Sequence, residues 1–357
     1  MEVNSLLNMG PYSLGELEKK RLFDSYLNNL TKYHYSNCED YRKVLDSIGF
    51  NLKIKVSYSK IPFLPVRLFK LFDLYSIPKK NIFKTMTSSG TTGQSPSKIF
   101  LDKQTATNQS KVLVKIISKF LGSKRAPMII IDSPEVLKDR NSFSARGAGI
   151  LGFSIFGEKR IYALDKEMKL NIKDLLAFVK VNQGKSIFIF GFTFIIFQHF
   201  IKVLQKHNIK LNLSKSVLIH GGGWKKLQNE KVSSEQFRDL LKEYCSINNV
   251  FDYYGMVEQT GSIYMECEYG NLHASIFSDV IFRRAKDFSE CGIGETGIIQ
   301  TISIIPKSYP GHSLLTEDQG TLLGIDNCKC GRLGKYFKVF GRIENAEIRG
   351  CSDTYEG

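Results

Sequence analysis

In the stretch 14–30 apolar side chains return at Leu14, Leu17, Leu22, Tyr26 and Leu30, a spacing that predicts an amphipathic helix. A second helical segment precedes Gly49. Residues 61–70, IPFLPVRLFK, hold two prolines and read as an extended connector. Residues 103–121 predict a long amphipathic helix with Val112, Ile116, Ile117 and Phe120 on one side. The rhythm then changes. Short unbroken apolar runs at 127–131, 187–190 and 217–219 each end at a turn, as buried parallel strands do. Helical stretches at 194–206 and 233–244 follow the last two. The most apolar run, 187–197 (IFIFGFTFIIF), reads as a strand, a glycine turn and a helix start. It is far shorter than the roughly 20 residues that cross a membrane. The pattern predicts an α/β fold: a large mixed sheet covered by helices, with ligands at the strand ends.

Composition narrows the class. A chain of 357 residues, 42% hydrophobic and 24% charged, is that of a soluble globular protein with a sizeable core. No internal repeat or low-complexity segment occurs. The first residues, MEVNSLLNMGPYSL, have neither the basic nor the apolar region of a signal peptide. Seven cysteines without a regular framework fit reduced thiols and a cytoplasmic protein. The net charge of +15 points to anionic ligands. Its lysines are spread along the chain without aromatic interleaving, so no nucleic acid partner is expected.

The chemistry concentrates first in residues 87–98, TSSGTTGQSPSK. Hydroxyls at Ser88, Ser89, Thr91 and Thr92, with Gly90 and Gly93, can turn closely about an anion, and Lys98 can meet its charge. A polyphosphate is the natural occupant, although composition alone also allows an ordinary surface loop. It is not a Walker A loop. Further on, a strand runs into Gly221-Gly222-Gly223-Trp224, bare backbone against which a flat ligand can lie. Cys267, His273, Cys328 and Cys330 offer three thiolates and an imidazole, a tetrahedral set for structural zinc, and equally free thiols, since the usual Cys-x₂-Cys knuckle is missing. Glu317-Asp318 reads by itself as an exposed acidic turn.

In order, Ser-Ser-Gly-Thr-Thr-Gly with its proline and lysine resembles the phosphate loop of the adenylate-forming superfamily. Phe251–Glu258, FDYYGMVE, is similar to that superfamily's Tyr-Gly-x-x-Glu motif, and LTEDQG at 315–320 to its Thr-Gly-Asp element. GRIENAEIRG at 341–350 is similar to its hinge. IPFLPVRLFK, HGGGWK, CKCGRLGKYFKVFGR and AEIRGCSDTYE narrow the resemblance to the acyl-protein synthetases of the bacterial bioluminescence fatty acid reductase complex, related to phenylacetate-CoA ligase.

The resemblance implies ATP and Mg²⁺ as cofactors, with structural zinc on the Cys/His set. It implies a phosphate loop at Ser88–Gly93 with Lys98, and adenine contacts at Gly222, Gly223, Tyr254 and Gly255. Glu258 would hold Mg²⁺, Asp318 the ribose hydroxyls, and Arg342 the ribose or phosphate. Cys351 would accept the acyl group. The expected reaction activates a long-chain fatty acid as acyl-AMP and passes it to Cys351, for delivery to an acyl reductase. Reductase and acyl-transferase subunits would be partners in a hetero-oligomer. A CoA ligase of the phenylacetate type and a non-catalytic nucleotide-binding subunit are the alternatives. The expected organisation is an N-terminal helical segment and connector (1–80), an adenylation domain (81–340) and a hinge-like tail (341–357). The superfamily's usual C-terminal domain is expected to be lacking.

Overall fold

The computed structural model describes residues 3–88, 96–137, 145–223 and 232–343. They form a mixed α/β fold in two compact units, one continuous (117–253) and one discontinuous (3–116 with 254–343). In chain order the strands are β1 (Leu64–Pro65), β2 (Lys84–Thr87), β3 (Lys98–Leu101), β4 (Ala126–Ile131), β5 (Gly157–Tyr162), β6 (Phe188–Phe192), β7 (Val217–Gly221), β8 (Asn249–Tyr254), β9 (Tyr264–Glu266), β10 (Leu272–His273), β11 (Ser278–Arg283), β12 (Thr296–Ser303), β13 (Ser313–Ile325) and β14 (Lys335–Arg342).

In the continuous unit the strands are all parallel, in the order β5-β4-β6-β7-β8. Every residue of β6 and β7 is buried, which is why these strands lack polar alternation. Helices Ala145–Ser154, Ile172–Val181 and Ser234–Cys245 supply crossovers. The last is started by a capping box between Ser233 and Gln236, which satisfies two of the orphan donors of its first turn. Gly191 is not the turn that its sequence suggests. It lies inside β6, where a Cβ would sit 2.9 Å from Ile196 and 3.1 Å from Ile131. The chain turns at Thr193 instead, and the helix that follows contains a π-helical stretch, Ile196–Ile201. The aromatic run is core. Phe188, Phe190, Phe192, Phe197 and Phe200 are buried, and Phe153 stacks on Phe190 at 4.3 Å.

The discontinuous unit has strands in the order β11-β12-β13-β14-β10-β9, antiparallel throughout. β13 is shared. β1 pairs parallel with Leu314 and Leu315, while β14 pairs with the half from Asp318 onward. Residues 61–70 are therefore more than a connector, holding β1 and a one-turn helix, Leu68–Leu71. β2 and β3 form a separate antiparallel ribbon.

Helix Glu16–Asn37 presents a different face from the expected one. Lys19, Phe23, Leu27, Leu30 and His34 are buried, whereas Leu17 is 73% exposed. Phe23, Leu27 and Leu30 give that face its apolar area, and Lys19 can join it because an acidic partner lies opposite. Lys19 lies 3.3 Å from Asp279 on β11, Lys335 of β14 lies 3.1 Å away, and the Tyr58 hydroxyl donates to the same carboxylate. Burial raises the Asp279 pKa, but the two lysines and Tyr58 outweigh it and hold the carboxyl below its ordinary value. No described helix is long and apolar enough to cross a membrane.

His34 also faces inward. It stacks on His312 at 4.9 Å and bonds to Ser76 and the Pro306 carbonyl, while His312 Nε2 meets the Thr31 hydroxyl at 3.0 Å. Burial drives both pKa values down, that of His312 to about 3, so both rings are neutral in the fold. Unfolded histidine takes up a proton below about pH 6.5. The unfolded chain then binds protons that the native state refuses, and stability falls as pH drops from there toward the folded pKa. His312→Gln should flatten the decline of the urea midpoint between neutral pH and pH 5 by about one proton's worth, up to about 1.4 kcal/mol per pH unit. An unchanged slope would remove His312 from the acid response.

Candidate functional site

The loop at 88–98 is the tip of the β2–β3 ribbon. Thr87 pairs with Lys98, the Ser88 amide donates to the Ser97 carbonyl at 3.1 Å, and the Ser97 amide donates to the Ser88 hydroxyl at 2.9 Å. Hydrogen bonds thus set both ends of the turn before any ligand arrives. Ser89, Gly90, Thr91, Thr92 and Gly93 lie outside the described residues. Lys98 Nζ is 3.2 Å from the Asp73 carboxylate, with both side chains about half exposed. An ion pair in water contributes little, so this one is readily exchanged for a polyanion.

Glu258 sits in the 3₁₀ turn Val257–Gln259, three residues past Gly255, and is only 6% exposed. Burial raises its pKa; the Ser97 hydroxyl and the charge of Arg342 oppose the rise. The turn is clamped from behind. The Tyr309 hydroxyl donates to the Glu258 carbonyl at 2.8 Å, and the Gln259 amide donates to the carbonyls of Thr301 and Gly311. Sequence reasoning passed over Tyr309, Gln259 and Gly311, although Pro310-Gly311 is a turn signal.

The Tyr254 hydroxyl donates to Asp318 Oδ2 at 2.7 Å. Asp318 faces Arg342 across the β13–β14 register, and Arg342 lies 3.7 Å from Glu317, which also holds Arg67 at 3.0 Å. Burial raises the Asp318 pKa against the pull of Tyr254 and Arg342. The acidic pair is not an exposed turn. It lies within β13, where the Thr316 hydroxyl accepts the Asp318 amide and donates to the Ile299 carbonyl, just before a register shift at Gln319/Gly320. The discontinuous unit thus brings Tyr254, Asp318 and Arg342 together, with the charge of Arg342 reaching Glu258.

In the continuous unit the bare backbone after β7 is already partly used. A Cβ on Gly221 would come within 2.5 Å of the Tyr253 ring, so that ring occupies the space beside Gly221. Gly222 has φ +80°, which favours glycine, and among the described residues nothing lies within 4 Å of a Cβ on Gly223. Thr193 holds this end of the strand, its hydroxyl 2.9 Å from His220 Nδ1 and 3.2 Å from the Gly221 carbonyl. Burial, with a smaller push from Arg238, brings His220 down to about 3. Trp224 lies outside the described residues, as does Cys351.

Cys267, His273, Cys328 and Cys330 converge, their ligand atoms all within 4.8 Å of one another. Cys267 Sγ and Cys328 Sγ are 4.0 Å apart, and Cys330 Sγ is 3.3 Å from His273 Nε2. A zinc tetrahedron with bonds of about 2.0–2.3 Å has edges of roughly 3.5–3.8 Å, so the spacing and the donor set suit that ion. The site joins two turns, one between β9 and β10 and one between β13 and β14. Burial pushes the Cys267 thiol up to about 12, and burial with Arg332 brings His273 down to about 4.

These features sit on the fold of the adenylate-forming ligases. The chain superposes on a 2-hydroxyisobutyryl-CoA ligase with a TM-score of 0.71 at 14% identity, covering 94% of this chain and 77% of that one. The sequence itself is more specific. A family model for the acyl-protein synthetase LuxE matches residues 2–356, and the chain belongs to that family. It is 22% identical over 371 residues to the long-chain-fatty-acid–luciferin-component ligase of Vibrio harveyi, and 24% identical over 365 residues to that of Aliivibrio fischeri. Each alignment covers 98% of this chain and 92% of the relative.

The clamp behind Glu258 is open to test. A Cβ at Gly311 would fall 2.2 Å from the Tyr309 ring and 3.1 Å from the Glu258 carbonyl oxygen. Gly311→Ala should therefore destabilise the protein by about 1–3 kcal/mol in urea unfolding. Wild-type stability in that variant would show that the turn relaxes without strain.

Proposed function

We propose that this protein is an ATP-dependent long-chain fatty acid ligase that forms acyl-AMP and transfers the acyl group to its own Cys351. The observation that carries this reading is the meeting of Tyr254, Asp318 and Arg342, in a chain whose family match runs from residue 2 to 356. A fatty carboxylate, already ionised near neutral pH, needs no general base. Its oxygen attacks the α-phosphorus of ATP and pyrophosphate leaves. The Cys351 thiolate then attacks the acyl carbon, and AMP leaves with the bonding electrons.

The chain's residues position and neutralise charge. Ser88–Gly93 and Lys98 hold the phosphates, Glu258 supplies a carboxylate to Mg²⁺, and Arg342 meets the phosphate or ribose. Asp318 accepts from the ribose hydroxyls, with Tyr254 fixing its carboxylate. Gly222, Gly223 and Gly255 provide close backbone at the adenine. The thioester is then offered to an acyl reductase within a hetero-oligomer, as the family resemblance implies.

Incubation with ATP, Mg²⁺ and labelled myristate should place one acyl group on the protein, released by hydroxylamine. Cys351→Ser should abolish it and leave ATP–pyrophosphate exchange nearly intact, whereas Glu258→Gln should slow exchange by roughly ten-fold or more. A thioester retained on the Cys351→Ser protein would assign the acceptor elsewhere. Label recovered on added CoA instead would make the enzyme a CoA ligase.

We also propose that Cys267, His273, Cys328 and Cys330 hold one structural zinc ion that pins the two turns together. Protein purified without added metal should contain zinc in equimolar amount, and a chelator should lower its thermal midpoint. Zinc retained in a Cys328→Ala/Cys330→Ala variant, or none in the parent, would defeat this assignment.

A further inference from the structure

Parallel strands place all their entering loops at one end of a sheet, and in the continuous unit that end is strongly cationic. The loop into β4 carries Lys124 and Arg125, the loop into β6 carries Lys185, and the loop into β7 carries Lys210 and Lys215. β4, β6 and β7 are consecutive neighbours, so these loops form one row with steps of about 5 Å. All of these cations are exposed. None makes an ion pair among the described residues; Lys210 lies over the Tyr244 ring. Of the described loops entering β4, β6 and β7, none carries an acidic residue; Glu158 on β5 and Glu243 before β8 lie at the flanking strands. Lys180 and Lys206 stand in last helical turns, where they complement helix carbonyls. The loop cations lie beyond the helix ends and have no such role.

Two aliphatic side chains share this end: Val181, 75% exposed, before β6, and Ile155, 37% exposed, before β5. Among the described residues no large aromatic side chain is strongly exposed there. We propose that this rim docks on an anionic lipid surface. Lysine-rich, aromatic-poor surfaces are unlike protein interfaces, which favour Arg and aromatic anchors and deplete Lys. They are also unlike single-strand nucleic acid grooves, which need stacking platforms. Lysine point charges beside exposed aliphatic groups suit a bilayer face, where each cation adds attraction within a Debye length of the headgroups.

The test uses the full-length protein and vesicles of phosphatidylcholine with or without about one third phosphatidylglycerol. Binding by flotation should occur on the anionic vesicles alone and be reversed by high salt. Lys210→Glu/Lys215→Glu should weaken it by roughly ten-fold or more. Lys53→Glu/Lys55→Glu, with the same net charge but placed in the discontinuous unit, should bind like the parent. Circular dichroism and thermal melts confirm that the variants fold. Failure to bind, equal loss in both variants, or retention of RNA in place of vesicles with the same dependence on Lys210 and Lys215 would overturn the proposal.

Discussion

Asp279 is a fully buried carboxylate, and an isolated charge there would be prohibitive. Lys19 from the N-terminal helix, Tyr58 from a 3₁₀ turn and Lys335 from β14 converge on it. Removing one member of a buried ionic cluster typically costs about 3–5 kcal/mol, because the remainder is left without a counter-charge. The same contact sets geometry as well as stability. Lys335 opens β14, and seven residues further along that strand Arg342 comes opposite Asp318. The register that lets a lysine reach Asp279 is therefore also the register that delivers an arginine to the candidate ribose contact.

The candidate site's two acids are treated alike. Glu258 is buried and Asp318 half-buried; loss of solvation raises the pKa of both, and each is opposed by a hydroxyl and by Arg342. Such groups gain more than exposed carboxylates would when a ligand brings a cation or hydroxyl donors, since the desolvation is already met by the fold. On the proposed function, Mg²⁺ and the ribose supply them.

The three central parallel strands, β4, β6 and β7, were readable because they are buried on both faces and appear as unbroken apolar runs, whereas the partly exposed β5 and β8 carry no such run. The helix predicted at 103–121 has those same bounds. What misled was always a polar exception or a glycine. The local pattern counts Leu17 among the apolar positions and leaves Lys19 outside, because the partner that lets Lys19 face inward, Asp279, lies 260 residues away. Gly191 carries a turn signal but serves close packing against Ile131 and Ile196. Thr316, Glu317 and Asp318 look like an exposed turn because their pairing partners lie far away, on β12 and β14. In the candidate site, the four metal-type ligands were legible by residue type. Tyr309, Gln259 and Thr193 were not, because each acts through a hydrogen bond to backbone that local pattern does not encode.

The division into a continuous and a discontinuous unit has a consequence for the order in which the chain can fold during synthesis. Residues 117–253, which carry the parallel strands, are made before the second part of the discontinuous unit. The helix bearing Lys19 emerges first but must wait for Asp279 and Lys335, which are made last. At about 5–20 residues per second, translating residues 254–343 takes roughly 5–20 seconds. Throughout that interval Phe23, Leu27 and Leu30, buried in the finished fold on the same helix face as Lys19, lack that final cover. The amino-terminal helix therefore cannot take up its buried place until the strands bearing Asp279 and Lys335 have been made.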